Sequence, residues 1–209
     1  MTDHGGIPVH DVTELEQLVG EPLPRVRDKV RDRLTDEHRA WLAASPLCFL
    51  ATSDADGRAD VSPKGDPAGI VHVLDDVTVA VPDRPGNRRV DGFRNVLANP
   101  EVALVSVVPG RGDTLRVNGE ARLVRDVPYA DALTVQGHRP TLVLEIRVRE
   151  VFMHCSKAFL RSRTWDPASW DPEGLPRRAE LAHRLEATDV PLAVLDEHYG
   201  PRYAQRLYG

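Results

Sequence analysis

Apolar and polar positions in the middle of the chain follow the period of a β-sheet. Residues 115–123 and 142–148 alternate apolar with polar or charged side chains, which places one face of a strand on a core and the other in solvent. Residues 47–53 and 102–108 are apolar runs of strand length. With the shorter segments between turns, the pattern predicts about seven strands: residues 47–53, 58–62, 70–73, 77–81, 102–108, 115–123 and 142–148.

Short turns connect these strands, so their neighbours are expected to pair antiparallel. Asp and Gly at 54–57 supply the backbone angles of a hairpin turn, and a second hairpin forms around 75–76. A single helical pattern, at 86–97, interrupts the series. Many antiparallel strands with one inserted helix predict a small closed barrel, because closure removes exposed sheet edges.

Helical patterns flank the strands on both sides. They cover 11–45, with Thr13 and Thr35 as predicted N-caps, and 154–209, with a proline-rich break near 166–176. We therefore expect three parts: an N-terminal helical extension at 1–45, a β-barrel domain at 46–165 and a C-terminal helical tail at 166–209.

Composition narrows the function classes. The 27 basic and 32 acidic residues give a net charge of −5, which disfavours nucleic-acid binding, since that relies on neutralising many phosphates. Two cysteines exclude a disulfide framework, and the scattered histidines lack the spacing of a metal site, so no metal is expected. The start of the chain lacks a signal-peptide pattern, and its longest apolar stretch is too short to span a bilayer. We expect a cytoplasmic protein without a membrane partner.

The densest polar cluster is Pro-Asp-Arg-Pro-Gly-Asn-Arg-Arg at 82–89, between a strand and the predicted helix. Arginines in the first turn of a helix oppose the helix dipole unless an anion lies between them. The forked guanidinium groups of Arg88 and Arg89 match phosphate oxygens, so the cluster predicts a phosphate site. The alternative is that both arginines are solvated and paired with nearby carboxylates.

Two further clusters could place positively charged side chains next to a ligand. Val-Ser-Pro-Lys-Gly-Asp at 61–66 ends a predicted strand in a tight loop, where Ser62 donates and Lys64 is positive; an ordinary hairpin loop is the alternative. Lys157 and Arg161 lie one helical turn apart and could face one anion, or form a solvated basic face. We expect no catalysis by the adjacent His and Cys at 154–155, because neighbouring helical residues point apart.

The order of these segments carries a family resemblance. Ser-Pro-Lys-Gly at 62–65 follows a hairpin, and Asp-Arg-Pro-Gly-Asn-Arg-Arg-x-Asp-x-x-Arg-Asn-x-x-Ala-Asn-Pro occupies 83–100. Residues 45–165 resemble the pyridoxamine 5′-phosphate oxidase-like, FMN-binding split-barrel family, and specifically a bacterial branch of it. The resemblance implies a mainly β fold with peripheral helices: a split β-barrel of antiparallel strands with one inserted helix.

The resemblance also implies a homodimer that shares FMN between its subunits and acts on a small-molecule substrate. The segment after the first hairpin would contact the flavin ring and ribityl chain, the next strand would line the ring, and the following residues would bind the phosphate. A late segment from the partner subunit would close the pocket. In that order, the implied cofactor-binding residues are Val61, Ser62, Pro63 and Lys64; Val81 and Pro82; Asn87, Arg88 and Arg89; and Ser156, Lys157, Arg161 and Trp165.

The expected function is therefore that of an FMN-dependent oxidoreductase, with no catalytic residue named. The Arg-x-His signature of true pyridoxamine 5′-phosphate oxidases is missing from the tail, so vitamin B6 activity is not supported. Three alternatives stay open: a deazaflavin-dependent reductase, a non-catalytic flavin- or heme-binding protein, and a cofactor-free scaffold. A deazaflavin coenzyme would use Arg111, Arg116 or Arg122, and heme would use His72, His138 or His154 as axial ligand.

Overall fold

The computed structural model describes residues 4–208. Its strands are β1 (Leu47–Ser53), β2 (Ala59–Gly65), β3 (His72–Val73), β4 (Thr78–Pro82), β5 (Glu101–Val107), β6 (Thr114–Val124) and β7 (Val143–His154). Its α-helices are α1 (Val12–Val19), α2 (Pro24–Arg27), α3 (Asp36–Ala44), α4 (Asp91–Ala98), α5 (Lys157–Ser162), α6 (Arg178–Leu185) and α7 (Leu192–His198). Short 3₁₀ turns lie at Ala130–Leu133, Pro167–Ser169, Pro172–Gly174 and Tyr203–Arg206.

The strands of the described chain form one seven-stranded antiparallel sheet in the order β2-β1-β5-β6-β7-β4-β3. This confirms the predicted strands and their antiparallel pairing. The expectation of a closed barrel is wrong, since β2 and β3 at the two ends of this order are not paired. Strand β3 has only two residues, and Pro63 in β2 lacks an N–H donor. Neither edge strand can therefore form a complete set of backbone hydrogen bonds with the other.

The main core cluster lies against one face of this sheet, and a smaller buried cluster around Ala80 and Val143 packs on the other face. Leu50, Leu104, Leu115 and Ile146 are each at most 1% exposed. The alternation that predicted the strands is seen in the burial pattern of β6, whose side chains alternate between core and surface from Leu115 to Ala121. Apolar burial from several strands into one cluster is the main stabilising contribution to such a fold.

Strand β7 extends to His154, six residues past its predicted end. A β-bulge between Asn118 and Gly119 shifts the β6–β7 register, and Arg149 and Glu150 are consecutively exposed on the bulged pair. The alternation is interrupted there, which is why the pattern ended the strand too early. Gly119 makes the bulge possible, because a Cβ at this position would overlap the carbonyl oxygen of Arg147.

The chain divides into two compact units, one up to Val30 and one from Arg31 onward. In the first unit, Asp11 is the N-cap of α1, and its Oδ1 accepts a 2.8 Å hydrogen bond from the backbone N–H of Glu14. The predicted N-cap, Thr13, therefore lies inside the first turn. The predicted boundaries at 45/46 and 165/166 stay predictions, and residues 1–3 and 209 of the outer parts fall outside the described residues.

Helix α3 begins where it was expected. Thr35 is its N-cap, and its backbone N–H donates to Nδ1 of His38 at 3.2 Å, in the manner of a capping box. His38 and Leu42 are the buried residues of the helix. Within residues 4–208, no helix is long and apolar enough to cross a membrane.

Candidate functional site

A cavity of about 890 Å³ opens between β2 and the loop that joins β4 to α4. Its wall consists of residues 60–65 and 82–93, together with Leu50, Ile70, Tyr203 and Leu207. The sheet order places β2 at one edge and β4 next to the other edge. The fold thus brings together two polar clusters that are about twenty residues apart in sequence.

Strand β2 supplies one side of the cavity through its alternation. Ser62 and Lys64 are half-buried, whereas Val61 and Pro63 are exposed. The tight loop expected after Ser62 is therefore a continuation of the strand up to Gly65. Proline is tolerated here because β2 is an edge strand.

Lys64 and Asp83 give this side of the cavity its charge. The Nζ atom of Lys64 lies 5.1 Å from the centroid of the Phe93 ring, and in the described part of the chain Lys64 forms no ion pair. Asp83 is half-buried, and this burial raises the pKa of its carboxyl group, while the positive charges of Lys64 and Arg84 act in the opposite direction.

The loop before α4 differs from the expected helix start. Helix α4 begins at Asp91 rather than at 86, so Arg88 and Arg89 precede the helix and are not in its first turn. The side-chain oxygen of Asn87 accepts a 2.9 Å hydrogen bond from the N–H of Arg89, and Arg88 has a left-handed φ of 60°. Such a local turn competes with helical geometry, so the helix begins only after it, at Asp91. Arg88 and Arg89 therefore do not oppose the helix dipole from within the first turn, and the predicted conflict with the dipole is absent.

The two arginines have different environments. Arg89 forms an ion pair with Asp91, as the alternative interpretation expected, and this pair raises the pKa of Arg89. Arg88 is exposed and has no ion-pair partner among residues 4–208, although it lines the cavity. A left-handed, non-glycine residue costs about 1–3 kcal/mol, and such residues cluster at ligand sites. Arg88 is thus the guanidinium that remains available to an anion.

Two asparagines fix α4 against the sheet. Nδ2 of Asn95 donates to Oγ1 of Thr52 at 3.0 Å, and Nδ2 of Asn99 donates to Oγ of Ser53 at 2.9 Å. The asparagines are four residues apart and lie on the same helix side, facing the end of β1. Both asparagines belong to the sequence motif at 83–100, but only the fold shows that they attach α4, and with it the end of the preceding loop, to β1.

A buried ion pair fixes the upstream end of the loop. Arg84 Nη2 lies 2.6 Å from Asp66 Oδ2, and the two side chains are 13% and 3% exposed. The same Nη2 donates to the carbonyl oxygen of Leu133 at 2.6 Å. Sequence reasoning missed this pair, because its partners lie on different segments and no local spacing joins them.

The remaining predicted residues lie away from the described wall of the cavity. Val81 is 2% exposed in the core. Ser156, Lys157, Arg161 and Trp165 lie on or beside α5. Trp165 Nε1 donates to the carbonyl oxygen of Arg111 at 2.6 Å, and its ring stacks on Phe159. Their assignment to a partner subunit's cofactor stays a prediction.

Comparison with known proteins identifies the family. The family model for pyridoxamine 5′-phosphate oxidase matches residues 34–155. The chain belongs to this family. The match includes both β2 and the loop before α4, and it confirms the split-barrel fold that the resemblance implied. Among curated proteins, no match was found.

Similar solved structures align with more than half of this chain. A candidate pyridoxamine 5′-phosphate oxidase from Lactobacillus delbrueckii is 29% identical, with 58% of this chain and 95% of that chain covered and a TM-score of 0.46. HupZ from Group A Streptococcus is 23% identical, with 57% and 93% covered and a TM-score of 0.46. HutZ, the heme storage protein from Vibrio cholerae, is 18% identical, with 58% and 94% covered and a TM-score of 0.41.

Proposed function

We propose that the chain is an FMN-dependent oxidoreductase that binds its cofactor in the cavity between β2 and the loop before α4. The observation that carries this proposal is that Ser62, Lys64 and Arg88 line one and the same cavity. Family membership supports the same cofactor class. The protein would act in the cytoplasm on a small-molecule substrate.

The phosphate would bind at the 87–89 end of the cavity. Arg88 has no carboxylate to displace within the described chain, and its guanidinium offers paired donors to phosphate oxygens. Asn87 and Arg89 would complete the contact, with Arg89 dividing its donors between the phosphate and Asp91. The fixed ends of the loop hold its backbone in place, which lowers the entropic cost of ordering these residues at binding.

The flavin ring would lie against β2 and the apolar part of the wall. Val61, Pro63 and Val90 are the exposed apolar residues of this wall, while Leu50, Ile70 and Phe93 are almost fully buried. Lys64 contributes a positive charge that would stabilise negative charge on the ring. Bound FMN supplies hydride or electron transfer, while the protein supplies orientation, charge and exclusion of water. We name no side chain as proton donor or acceptor.

A homodimer would complete the site. Phe49 on β1 pairs directly with Pro63 on β2, and Phe49 and Val61 are 39% and 60% exposed, so the outer face of this edge is apolar. A second copy packed on this face would cover it and would bring Ser156, Lys157, Arg161 and Trp165 to the neighbouring cavity.

The alternative cofactors find less support at this cavity. Arg111 is paired with Asp113 and Arg122 with Glu145, while Arg116 lies over the Phe152 ring, and none of the three is on the described wall. His72, His138 and His154 are likewise absent from that wall, so none offers an axial ligand there.

An absorption spectrum of the purified protein, before and after FMN addition and desalting, tests the proposal. We expect the two broad flavin bands to survive desalting at close to one FMN per chain. A chain that retains no added FMN would refute the proposal. A sharp Soret band would instead indicate heme, and retention of the deazaflavin coenzyme alone would indicate the reductase alternative.

A further inference from the structure

A segment far from the family-matched region reaches the cavity. Residues 203–208, here called the tail segment, begin with a 3₁₀ turn, and Tyr203 and Leu207 line the cavity beside β2 and the loop before α4. The family match ends at residue 155, so this contribution is not part of the matched region. Tyr203 and Leu207 are about half exposed, which leaves part of each side chain free to contact a ligand.

Tyr208 links the tail segment to the Arg84–Asp66 ion pair, which fixes the upstream end of the loop before α4. Its hydroxyl donates a hydrogen bond to Asp66 Oδ1, while Oδ2 of the same carboxylate binds Arg84. The Tyr208 ring stacks on His138 at a centroid distance of 5.6 Å, and the Arg84 guanidinium lies 5.9 Å from the ring centroid. With Tyr208 docked, the Asp66 carboxylate is 97% buried and both of its oxygens have a hydrogen-bond donor. The hydrogen bond to Asp66 raises the pKa of Tyr208, which keeps the phenol protonated as the donor.

We propose that Tyr208 is a positioning residue that holds the tail segment as a wall of the cofactor cavity, so that Tyr203 and Leu207 contact the bound flavin and limit its exchange with solvent. The inference rests on the proposed FMN function. With the segment docked, the cavity still measures about 890 Å³. This lies within the roughly 300–1,000 Å³ of small-molecule sites, so the segment forms a wall and does not fill the site.

Two variants of the full-length chain test this role. Tyr208→Phe keeps the ring and removes the hydroxyl, and Tyr203→Ser with Leu207→Ser removes the apolar surface of a half-exposed turn. Circular dichroism verifies the fold of the double variant, because the Tyr203 ring also contacts His198 and Tyr199. We expect FMN to dissociate about tenfold faster or more from Tyr208→Phe, since that variant loses a hydrogen bond to a charged group. The double serine variant, which loses apolar contact only, should release FMN severalfold faster. Iodide should also quench the fluorescence of the bound flavin more efficiently.

Gln205→Ala is the matched control, because Gln205 lies in the same segment and is not on the cavity wall. It should leave both the dissociation rate and the quenching unchanged. Unchanged values in Tyr208→Phe and in the double serine variant would overturn the inference. Slower dissociation from these variants would also overturn it, since that result would make the segment a competitor of FMN.

A cofactor-free measurement separates this inference from the proposed function. In protein without FMN, Tyr208→Phe should speed backbone hydrogen exchange across 203–208 by severalfold, and Gln205→Ala should not. If the unmodified chain binds no FMN, the proposed function fails, while faster exchange in Tyr208→Phe still supports the docked wall. Equal exchange in all three proteins would overturn the wall whether or not FMN binds.

Discussion

Arg84 and Asp66 form an ion pair that joins the loop before α4 to the end of β2. Nη2 and Nε of Arg84 approach the same carboxylate oxygen, at 2.6 and 2.7 Å, and the two side chains are almost fully buried. Two segments from opposite sides of the candidate site are thereby fixed to each other. The pair is therefore expected to influence both the stability of the fold and the shape of the cavity.

Removing one partner of this pair should be strongly destabilising. Asp66→Asn leaves the Arg84 guanidinium buried without an anion, which typically lowers the free energy of unfolding by about 3–5 kcal/mol. Urea denaturation at neutral pH measures the change. Replacing both partners, as Asp66→Leu with Arg84→Met, should recover much of the loss, because apolar residues of similar volume remove the unpaired charge. Equal losses in the single and double variants would show that the ion pair is not the cause.

Exposed ion pairs provide the control for this measurement. Arg125 lies 3.7 Å from Asp126, and both side chains are more than 80% exposed. We expect Arg125→Ala to leave the denaturation midpoint close to that of the unmodified protein, since exposed pairs contribute little.

Arg88 should contribute more to FMN binding than Arg89. Arg88 has no carboxylate partner among the described residues, whereas Arg89 must divide its donors with Asp91. We expect Arg88→Ala to weaken FMN binding by about tenfold or more, and Arg89→Ala to weaken it less. Quenching of FMN fluorescence during titration measures both affinities, and circular dichroism verifies the fold.

The double variant gives the stricter test of the phosphate site. Arg88→Ala with Arg89→Ala should lose FMN during desalting, whereas Arg125→Ala removes one positive charge elsewhere and should retain it. A double variant that keeps one FMN per chain would refute the phosphate assignment.

Periodicity predicted the strands well because burial alternates with the pleat. It failed where that alternation fails: the register shift at Gly119 hid the second half of β7. The prediction of a closed barrel was also wrong, because the sequence pattern does not show that β3 is only two residues long. Local rules describe single strands better than they describe how the edges of a sheet meet.

The candidate site was only partly accessible from the sequence. The strand containing Lys64 and the loop containing Arg88 each have a local composition that indicates an anion or cofactor. The contacts that fix them, Arg84 with Asp66 and Tyr208 with Asp66, join segments 18 and 142 residues apart. Contacts of that separation depend on the path of the whole chain and leave no trace in local spacing.

Gly119→Ala should destabilise the protein through the backbone. A Cβ at Gly119 would overlap the carbonyl oxygen of Arg147, and a backbone atom in a paired strand cannot move aside as a flexible side chain can. We expect a loss of about 1–3 kcal/mol or more, measured by urea denaturation. Gly65→Ala is the matched control, since its Cβ would lie 3.7 Å from the carbonyl oxygen of Pro46, an ordinary contact. A Gly119→Ala protein as stable as Gly65→Ala would contradict the role of the bulge.

His38 should make stability depend on pH below neutrality. Burial lowers the pKa of His38 from its usual value of 6.5, and Nδ1 accepts the backbone N–H of Thr35, which requires that nitrogen to be unprotonated. As the pH falls below about 6.5, the unfolded chain binds a proton at this site before the folded chain does. The stabilising contribution is therefore complete above pH 6.5 and is lost as the pH falls through the lower, folded-state pKa.

His38→Gln isolates this contribution. Glutamine at the third helical position can accept the same N–H without titrating, so the helix cap is retained. We expect the unfolding free energy of the unmodified protein to decline more steeply than that of His38→Gln between pH 7.5 and about 5. All other titrating groups are common to both proteins, so they cancel in the difference. Parallel stability profiles over this range would show that the folded and unfolded states protonate His38 alike.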